Sequence, residues 1–228
     1  MPIQSSDRTL FETLRNRLFT AVVGDVLDAL GYRHQFLPQG IGPLRSADTV
    51  VGRAMPVLEA DVFRHEPGRG PLSGRPFGLM LEALDDLRAG EVYVGAGASP
   101  SYALWGELMS TRAIHLGAAG AVLNGPVRDA AAIEELGFPT FCRGLYAQDQ
   151  GQRGQVVDYR CTVEIAGVRV DPGMLIFGDR EGVLVIPREA EEETVRLALE
   201  KVSTESAVAT AIRGGMSAVE AFEKFGVM

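Results

Sequence analysis

Histidine and cysteine are scarce in this sequence of 228 residues, which contains three of the former and two of the latter. Cys142 and Cys161 are too few for a disulfide framework, and no CxxC motif offers a thiolate zinc site. The three histidines lie far apart along the chain, so no two of them form the paired ligands of an HExxH helix. We therefore expect a reducing compartment, and we expect any bound metal ion to be held by carboxylates.

Long apolar runs and an excess of positive charge are also absent. No segment approaches the roughly 18 consecutive apolar residues of a membrane-spanning helix, and residues 1–19 lack the apolar core of a signal peptide. The 30 acidic and 22 basic side chains give a net charge of −8, which argues against binding to nucleic acid or to an anionic membrane. These features predict a cytoplasmic globular protein that contacts neither nucleic acid nor membrane.

Hydrophobic periodicity predicts helices at both ends of the chain. Apolar residues recur every four positions over the first thirty residues, and Gly24 with Asp25 is expected to divide this region into two helices. A long helix is expected after Pro187, followed by a helical tail over 218–225.

The middle of the chain alternates between strands and helices. Residues 121–142 contain strand, turn, helix and strand in that order, which is the pattern of a parallel crossover. A preceding helix over 104–116 is apolar on most sides and is expected to be buried. Residues 155–186 have the alternation and glycine-bounded turns of hairpins. We predict one α/β domain over residues 1–228, with mixed parallel and antiparallel strands covered by helices.

A glycine- and serine-rich loop over 95–101 leads into the helix that begins near Gly106. The first free N–H groups of that helix can hold a carboxylate or a phosphate. Gly106 also has a purely structural explanation, because it permits close packing beside Trp105.

The turn GPVRD at 125–129 follows a strand and precedes a helix, where open α/β sheets place their binding sites. Asp129 alone can be explained as the N-cap of the following helix, and Arg128 as an exposed surface cation. Together with Glu107, these side chains could bring two carboxylates and a bidentate guanidinium towards the helix end at Gly106. Such a set suits Mg²⁺ or Mn²⁺ together with a small 2-oxo acid.

Four stretches of the sequence form recognisable motifs. The longest is WGELMSTRAIHLGAAGAVLNGPVRDAAAIEELGFPTFCRG at 105–144, and the others are DVLDALG at 25–31, VVGRA at 50–54 and PGMLIFGDREGVLVIP at 172–187. Together they resemble the motifs of the RraA-like proteins and the 4-hydroxy-4-methyl-2-oxoglutarate aldolases. The resemblance implies a swivelling β/β/α fold with mixed parallel and antiparallel sheets flanked by helices. It also implies a homotrimer or a dimer of trimers, with a divalent-metal site at the subunit boundaries.

The resemblance also implies a set of metal-binding residues. The aldolases carry an acidic residue, twenty intervening residues and then Arg-Asp, which corresponds here to Glu107 and Arg128-Asp129. Asp129 would then bind Mg²⁺ (or Mn²⁺) directly, and Glu107 would hold a metal-bound water. Glu205 of a neighbouring subunit would hold a further metal-bound water.

The implied substrate is a small 2-oxo acid bound at the start of the helix. Arg128 would contact its 2-oxo acid group, and the backbone of Gly106, Leu108 and Met109 would hold its carboxylate. Arg128 and Glu107 would be the catalytic residues, with Glu107 orienting the water that takes the C4 hydroxyl proton. Cleavage of 4-hydroxy-4-methyl-2-oxoglutarate to pyruvate is the implied reaction, with decarboxylation of oxaloacetate as a side activity.

The family also contains proteins that bind and inhibit ribonuclease E, and a non-catalytic regulator of this kind is the alternative function. An intact set of Glu107, Arg128 and Asp129 favours the enzyme, because a pure binding protein has no need of it.

The sequence does not identify the part of the substrate beyond its 2-oxo acid group, because it departs from the aldolase pattern at several positions. Glu107 replaces an Asp, and both Asn124 and Met174 occupy positions where Asp is frequent, while Arg112 adds a cation. A Gly- and Pro-rich loop over 64–76 could bind a second carboxylate or could simply be an exposed connection. Its candidate residues are Arg64, His65 and Arg69.

Overall fold

The structure, a computed structural model, describes residues 5–62, 72 and 74–226. Its strands are β1 (Gly42–Pro43), β2 (Val50–Asp61), β3 (Glu91–Ala96), β4 (Gly120–Leu123), β5 (Thr140–Cys142), β6 (Gly154–Tyr159), β7 (Val163–Ile165), β8 (Val168–Val170), β9 (Leu175–Asp179) and β10 (Gly182–Ile186). Its helices are α1 (Ser5–Arg17), α2 (Thr20–Ala29), α3 (Met80–Asp85), α4 (Glu107–Leu116), α5 (Ala130–Leu136), α6 (Glu191–Arg213) and α7 (Ala218–Phe225).

A mixed β-sheet with the strand order β1-β5-β4-β3-β2-β9-β10 forms the centre of the molecule. Strands β2, β3, β4 and β5 are parallel neighbours, and α3, α4 and α5 connect them in turn. The outer pairings of β1 with β5, of β2 with β9 and of β9 with β10 are antiparallel. Strand β6 pairs antiparallel with the C-terminal part of β2. The predicted α/β fold with mixed parallel and antiparallel strands flanked by helices is therefore confirmed.

The two faces of the sheet support different layers. On β3, Tyr93 packs into one buried cluster with residues of α3, α4 and α5, whereas Val92 and Val94 pack into another with the β7–β8 hairpin. This division follows from the alternation of side chains along a strand. A third cluster joins α1, α2 and α6 to β9 and β10.

The expected break of the N-terminal helix at Gly24 and Asp25 is wrong, because both residues lie inside α2. The break falls at 18–19 instead, where Asp179 from the end of β9 accepts hydrogen bonds from the Thr20 backbone N–H at 2.8 Å and from its hydroxyl at 2.7 Å. A distant carboxylate thus satisfies the start of α2. Gly24 serves packing, since a Cβ there would overlap the Phe36 ring.

The expected burial of the helix at 104–116 is also wrong. Helix α4 begins only at Glu107, and its buried residues are Ser110 and Ala113. Leu108 is 80% exposed, and Ile114 is exposed as well. Leu108 and Ile114 therefore face outwards in the single chain, whereas Met109 and Leu116 are partly buried against the core. No helix within residues 5–62 and 74–226 has the length and apolar character needed to cross a bilayer.

Candidate functional site

The candidate site lies where the chain continues beyond the C-terminal ends of β3, β4 and β5. Residues 104–106, 125–128 and 143–146 run side by side there. The Leu104 N–H donates to the Pro126 carbonyl at 2.9 Å, and the Arg128 N–H donates to the Trp105 carbonyl at 3.0 Å. Because the ends of parallel strands meet at one edge of a sheet, these pairings bring the start of α4 and the GPVRD turn together.

Trp105 fixes the first turn of α4 from inside the protein. Its indole Nε1–H donates to the Ser110 hydroxyl at 2.7 Å, and that hydroxyl donates to the Gly106 carbonyl at 3.1 Å. The indole ring lies 4.9 Å from the Tyr93 ring and stacks on Phe138 at 6.0 Å. Both aromatic contacts and buried hydrogen bonds therefore hold the helix end in place.

Gly106 leaves room for the side chain of Asp129. A Cβ at this position would lie 2.8 Å from Asp129 Oδ2 and 3.4 Å from Arg128 Cγ. Packing beside Trp105 alone therefore does not account for the glycine. Any larger residue would displace the carboxylate from the helix end.

Asp129 occupies the N-cap position of α5, yet its side chain makes no capping hydrogen bond. Its Oδ2 instead accepts from the Glu107 N–H, the first of α4, at 3.4 Å. Within the described part of the chain, Oδ1 has no hydrogen-bond partner, and neither have the N–H groups of Leu108 and Met109. The N-cap interpretation is thus wrong for the side chain, which is turned towards α4.

Arg128 lies between two carboxylates. Its Nη1 donates to Asp149 Oδ1 at 2.6 Å, and its Nε lies 3.6 Å from Asp129 Oδ2. Asp149 could not be predicted from the sequence, because it stands in an irregular segment without a motif. Only the fold brings it to the turn.

The structure thus groups Gly106, Glu107, Arg128 and Asp129, but it does not bring Glu205 to them within one chain. Glu205 lies on α6, where its Oε1 is 3.9 Å from Lys201 Nζ. Among the described residues, no three His, Cys, Asp or Glu side chains form a group that could hold a metal ion. A metal at Asp129 would therefore depend on water molecules or on a second chain for most of its ligands.

Two of the residues at which this sequence departs from the aldolase pattern have hydrogen-bond partners within the chain. Asn124 Oδ1 accepts from Arg143 Nε at 2.6 Å, and Arg112 Nε donates to Asp85 at 2.8 Å. Both side chains thus have partners on the surface. The candidate loop residues lie outside the described residues; they are Arg64, His65 and Arg69.

Glu59, near the C-terminal end of β2, is a buried acid that was not among the predicted site residues. It is 2% exposed, and its Oε2 accepts from Gln150 Nε2 at 3.1 Å. Burial raises the pKa of Glu59 to about 8, so this side chain is neutral at pH 7. The signal in the sequence was an acidic residue within the mostly apolar segment that forms β2.

Comparison with known proteins decides the family. The model of the family described as RraA-like, Aldolase/RraA, matches residues 20–185. The chain belongs to the RraA-like family.

Its relatives in this family carry different names. A protein of Halalkalibacterium halodurans named "Putative 4-hydroxy-4-methyl-2-oxoglutarate aldolase" is 32% identical, and the match covers 89% of each chain. Protein DlpA of Legionella pneumophila is 28% identical over 90% of this chain, but the RraA-like chain spans only 32% of DlpA.

A solved structure supports the same family fold. RraAS2 of Streptomyces coelicolor, described as an unusual member of the RNase ES inhibitor RraA protein family, superposes with a TM-score of 0.75 at 26% identity. The superposition covers 90% of this chain and 98% of that one. Names of both an aldolase and an inhibitor family thus occur among similar proteins.

Proposed function

We propose that this RraA-like protein is a divalent-metal-dependent carbon–carbon lyase that releases pyruvate from a 4-hydroxy-2-oxo acid. One observation carries the proposal: the Asp129 carboxylate turns away from its own helix towards the N-terminus of α4, where it accepts from the Glu107 N–H beside Arg128. A relative named as an aldolase, 32% identical over 89% of the chain, supports the same reaction class.

The donor set suits Mg²⁺ or Mn²⁺ with few protein ligands. Mg²⁺ commonly keeps several waters and binds through one or two carboxylates, and Asp129 Oδ1 has no partner within the described residues. Asp129 would hold the ion directly, while Glu107 and the Glu205 of a neighbouring copy would hold its waters. The bound ion would supply positive charge opposite the oxygen on which negative charge develops.

The chain's own groups would bind the acid end of the substrate. The N–H groups of Leu108 and Met109 point out of the N-terminus of α4, which favours an anion there. Arg128 offers a planar fork of donors that matches a carboxylate or a 2-oxo acid. These groups would fix the pyruvyl half of the substrate and leave the distal half outside the turn.

Bond cleavage requires a base and an electron sink. The Glu107 carboxylate would accept the C4 hydroxyl proton through a water, and the C3–C4 bond would break as the C4 carbonyl forms. The bonding electrons would pass to the 2-oxo group as the pyruvate enolate, whose charge Arg128 and the α4 N–H groups would offset. Protonation of C3 then gives pyruvate, and oxaloacetate would lose CO₂ by the same electron flow.

The site would be completed at a subunit boundary, and we propose a homotrimer or a dimer of trimers. Within the chain, Glu205 contacts Lys201 on its own helix α6, so we expect it to contribute from another copy. Leu108, 80% exposed beside Glu107, and Leu145, exposed in segment 143–146, are apolar side chains available for such a contact.

A regulator that binds ribonuclease E is the second candidate, and its support is the 26% identity to a member of the RNase ES inhibitor family.

Pyruvate release separates the two candidates. The purified protein is incubated with Mg²⁺ or Mn²⁺ and a panel of 4-hydroxy-2-oxo acids and oxaloacetate, and pyruvate is measured with lactate dehydrogenase. We expect release that EDTA abolishes and added metal restores. Absence of release from the whole panel would contradict the lyase and favour the regulator.

A further inference from the structure

We propose that Asp149 and the buried Glu59 are positioning residues for Arg128. Asp149 would hold the guanidinium directly, and Glu59 would anchor the segment that carries Asp149. The inference rests on the proposed function, because it assigns to Arg128 the binding of the substrate's 2-oxo acid group.

The contact between Arg128 and Asp149 is direct. Nη1 donates to Asp149 Oδ1 at 2.6 Å, which is a short, charge-assisted hydrogen bond. The other side of the guanidinium, Nε, lies 3.6 Å from Asp129 Oδ2. A long arginine side chain loses much rotamer freedom when it binds a ligand. Asp149 would impose that loss before the substrate arrives.

The segment that carries Asp149 is anchored from the core. Gln150 is 5% exposed, and its Nε2 donates to Glu59 Oε2 at 3.1 Å. The Gln150 carbonyl accepts from the N–H groups of Arg153 at 2.6 Å and of Gly154 at 3.1 Å. Gln150 is thus held at both its side chain and its backbone, immediately after Asp149.

The sheet is shaped to admit Glu59. The pairing of β2 with β6 shifts register between Leu58 and Glu59, a bulge of the kind that re-aims a side chain. A Cβ at Gly95 would lie 3.3 Å from Glu59 Oε1, and a Cβ at Gly97 would overlap the Glu59 carbonyl oxygen. Gly95 in β3 therefore makes room for the Glu59 carboxyl group, and Gly97 just after β3 makes room for the Glu59 backbone.

Burying a carboxyl group is unfavourable, so its position calls for an explanation. Within the described residues, Glu59 Oε1 and the Tyr93 hydroxyl have no hydrogen-bond partner. An apolar residue would avoid this cost, but it would leave the Gln150 amide without its acceptor. Glu59 thus serves as the hydrogen-bond acceptor for Gln150. Through Gln150 it helps to place Asp149.

Three variants test the proposal. Asp149→Asn keeps the shape but removes the charge, Glu59→Leu removes the acceptor, and Glu59→Gln keeps a carbonyl oxygen for Gln150. Glu82→Gln is the matched control, because Glu82 pairs with Arg75 at 2.8 Å on the surface and both are about as exposed as Asp149. Folding of each variant is checked by circular dichroism.

Kinetics and the NMR order parameter of the Arg128 Nε–H group are measured for each. We expect Asp149→Asn and Glu59→Leu to lower kcat/KM about tenfold, mainly through KM, and to lower the order of Arg128. Glu59→Gln and Glu82→Gln should change neither. The double variant should lose little more than one single variant, because both act on one guanidinium.

The outcomes separate the two proposals. The positioning role would be overturned if Asp149→Asn left the order parameter of the Arg128 Nε–H unchanged or bound substrate more tightly than the wild type. It would also be overturned if Glu59→Gln and Glu59→Leu lost kcat/KM equally. A wild-type protein without lyase activity would contradict the proposed function, and the order of Arg128 would then decide the positioning role alone.

Discussion

Asp129 is held in an unfavourable backbone conformation that places its carboxylate at the candidate site. Its backbone lies in the left-handed region at φ 55°, which costs a non-glycine residue on the order of 1 kcal/mol. It gains no capping hydrogen bond with α5 in return. The carboxylate is instead set at the N-terminus of α4, and Gly106 leaves the space for it. Strain kept at such a position points to a functional role.

Replacing Asp129 should separate stability from activity. Asp129→Gly relieves the left-handed strain, whereas Asp129→Ala keeps it, so we expect the glycine variant to be more stable than the alanine variant by about 1 kcal/mol. Both should lose pyruvate release by at least about 100-fold, because the metal loses its direct ligand. Urea unfolding and the pyruvate assay check the two effects. Full activity in either variant would refute the role of Asp129.

Glu59 should make stability depend on pH. An unfolded glutamate loses its proton near pH 4.5, whereas burial holds the folded-state pKa of Glu59 at about 8. Between these values the folded protein binds one proton more than the unfolded chain, so this group lowers stability as pH rises through that window. Tyr93 and Tyr102, which interact electrostatically with Glu59, stay neutral because burial raises the pKa of each hydroxyl.

The Glu59→Gln variant cannot ionise, so it should gain stability over the wild type as pH rises. At about 1.4 kcal/mol per pH unit, the gain should reach at most about 5 kcal/mol at pH 8. Urea unfolding at about pH 5 and pH 8 measures the difference, with Glu82→Gln as the surface control. A difference that is the same at both pH values would contradict the buried, neutral state of Glu59.

At the scale of elements, hydrophobic periodicity predicted the helices and strands that local sequence determines. The crossover of β4, α5 and β5 and the tail helix α7 were foreseen, because apolar spacing and glycines mark them. The predicted burial of α4 was wrong, since its apolar residues Leu108 and Ile114 face outwards in the single chain. The break between α1 and α2 was misplaced, because Asp179 that satisfies Thr20 is 159 residues away in sequence.

That long-range cap gives a prediction for α2. Asp179→Ala would remove two hydrogen bonds to Thr20, at 2.8 and 2.7 Å, and leave the start of the helix unsatisfied. We expect the free energy of unfolding to fall by about 1–2 kcal/mol, with kcat/KM unchanged because the cap is remote from Asp129. Chemical denaturation and the pyruvate assay measure both. No loss of stability would mean that water replaces the carboxylate fully.

The candidate site was only partly predictable in the same way. The motif identified Glu107, Arg128 and Asp129, and the fold brings them together at one edge of the sheet. Asp149 and Glu59 could not be found from spacing, because a loop and a strand bulge place them. Such positions depend on the path of the backbone in three dimensions rather than on local pattern.

At the scale of the whole molecule, the proposal divides the site between copies of the chain. Glu205 on α6 contacts Lys201 and is not brought to Asp129 within one chain. The family membership and the fold are established, whereas the single domain over 1–228, the trimer and the shared site stay predictions. A head-to-tail interface would give each copy one half of two sites.

Mixing two inactive variants tests this division. Asp129→Ala and Glu205→Ala damage opposite halves of a site, so co-refolded mixtures should regain activity in about one quarter of the sites by random assembly. Each variant refolded alone should stay inactive. Pyruvate release before and after mixing gives the measurement, and recovery no greater than the sum of the separate variants would show that each chain holds a complete site.

The central claim, that Asp129 holds a divalent ion beside Arg128 and the start of α4, is tested most directly by crystallography. Crystals grown with Mn²⁺ and pyruvate would show the ion by anomalous scattering. We predict one Mn²⁺ per chain in contact with the Asp129 carboxylate, and a pyruvate carboxylate on the N–H groups of Leu108 and Met109. An ordered site without Mn²⁺ at Asp129, or with pyruvate bound elsewhere, would contradict the account.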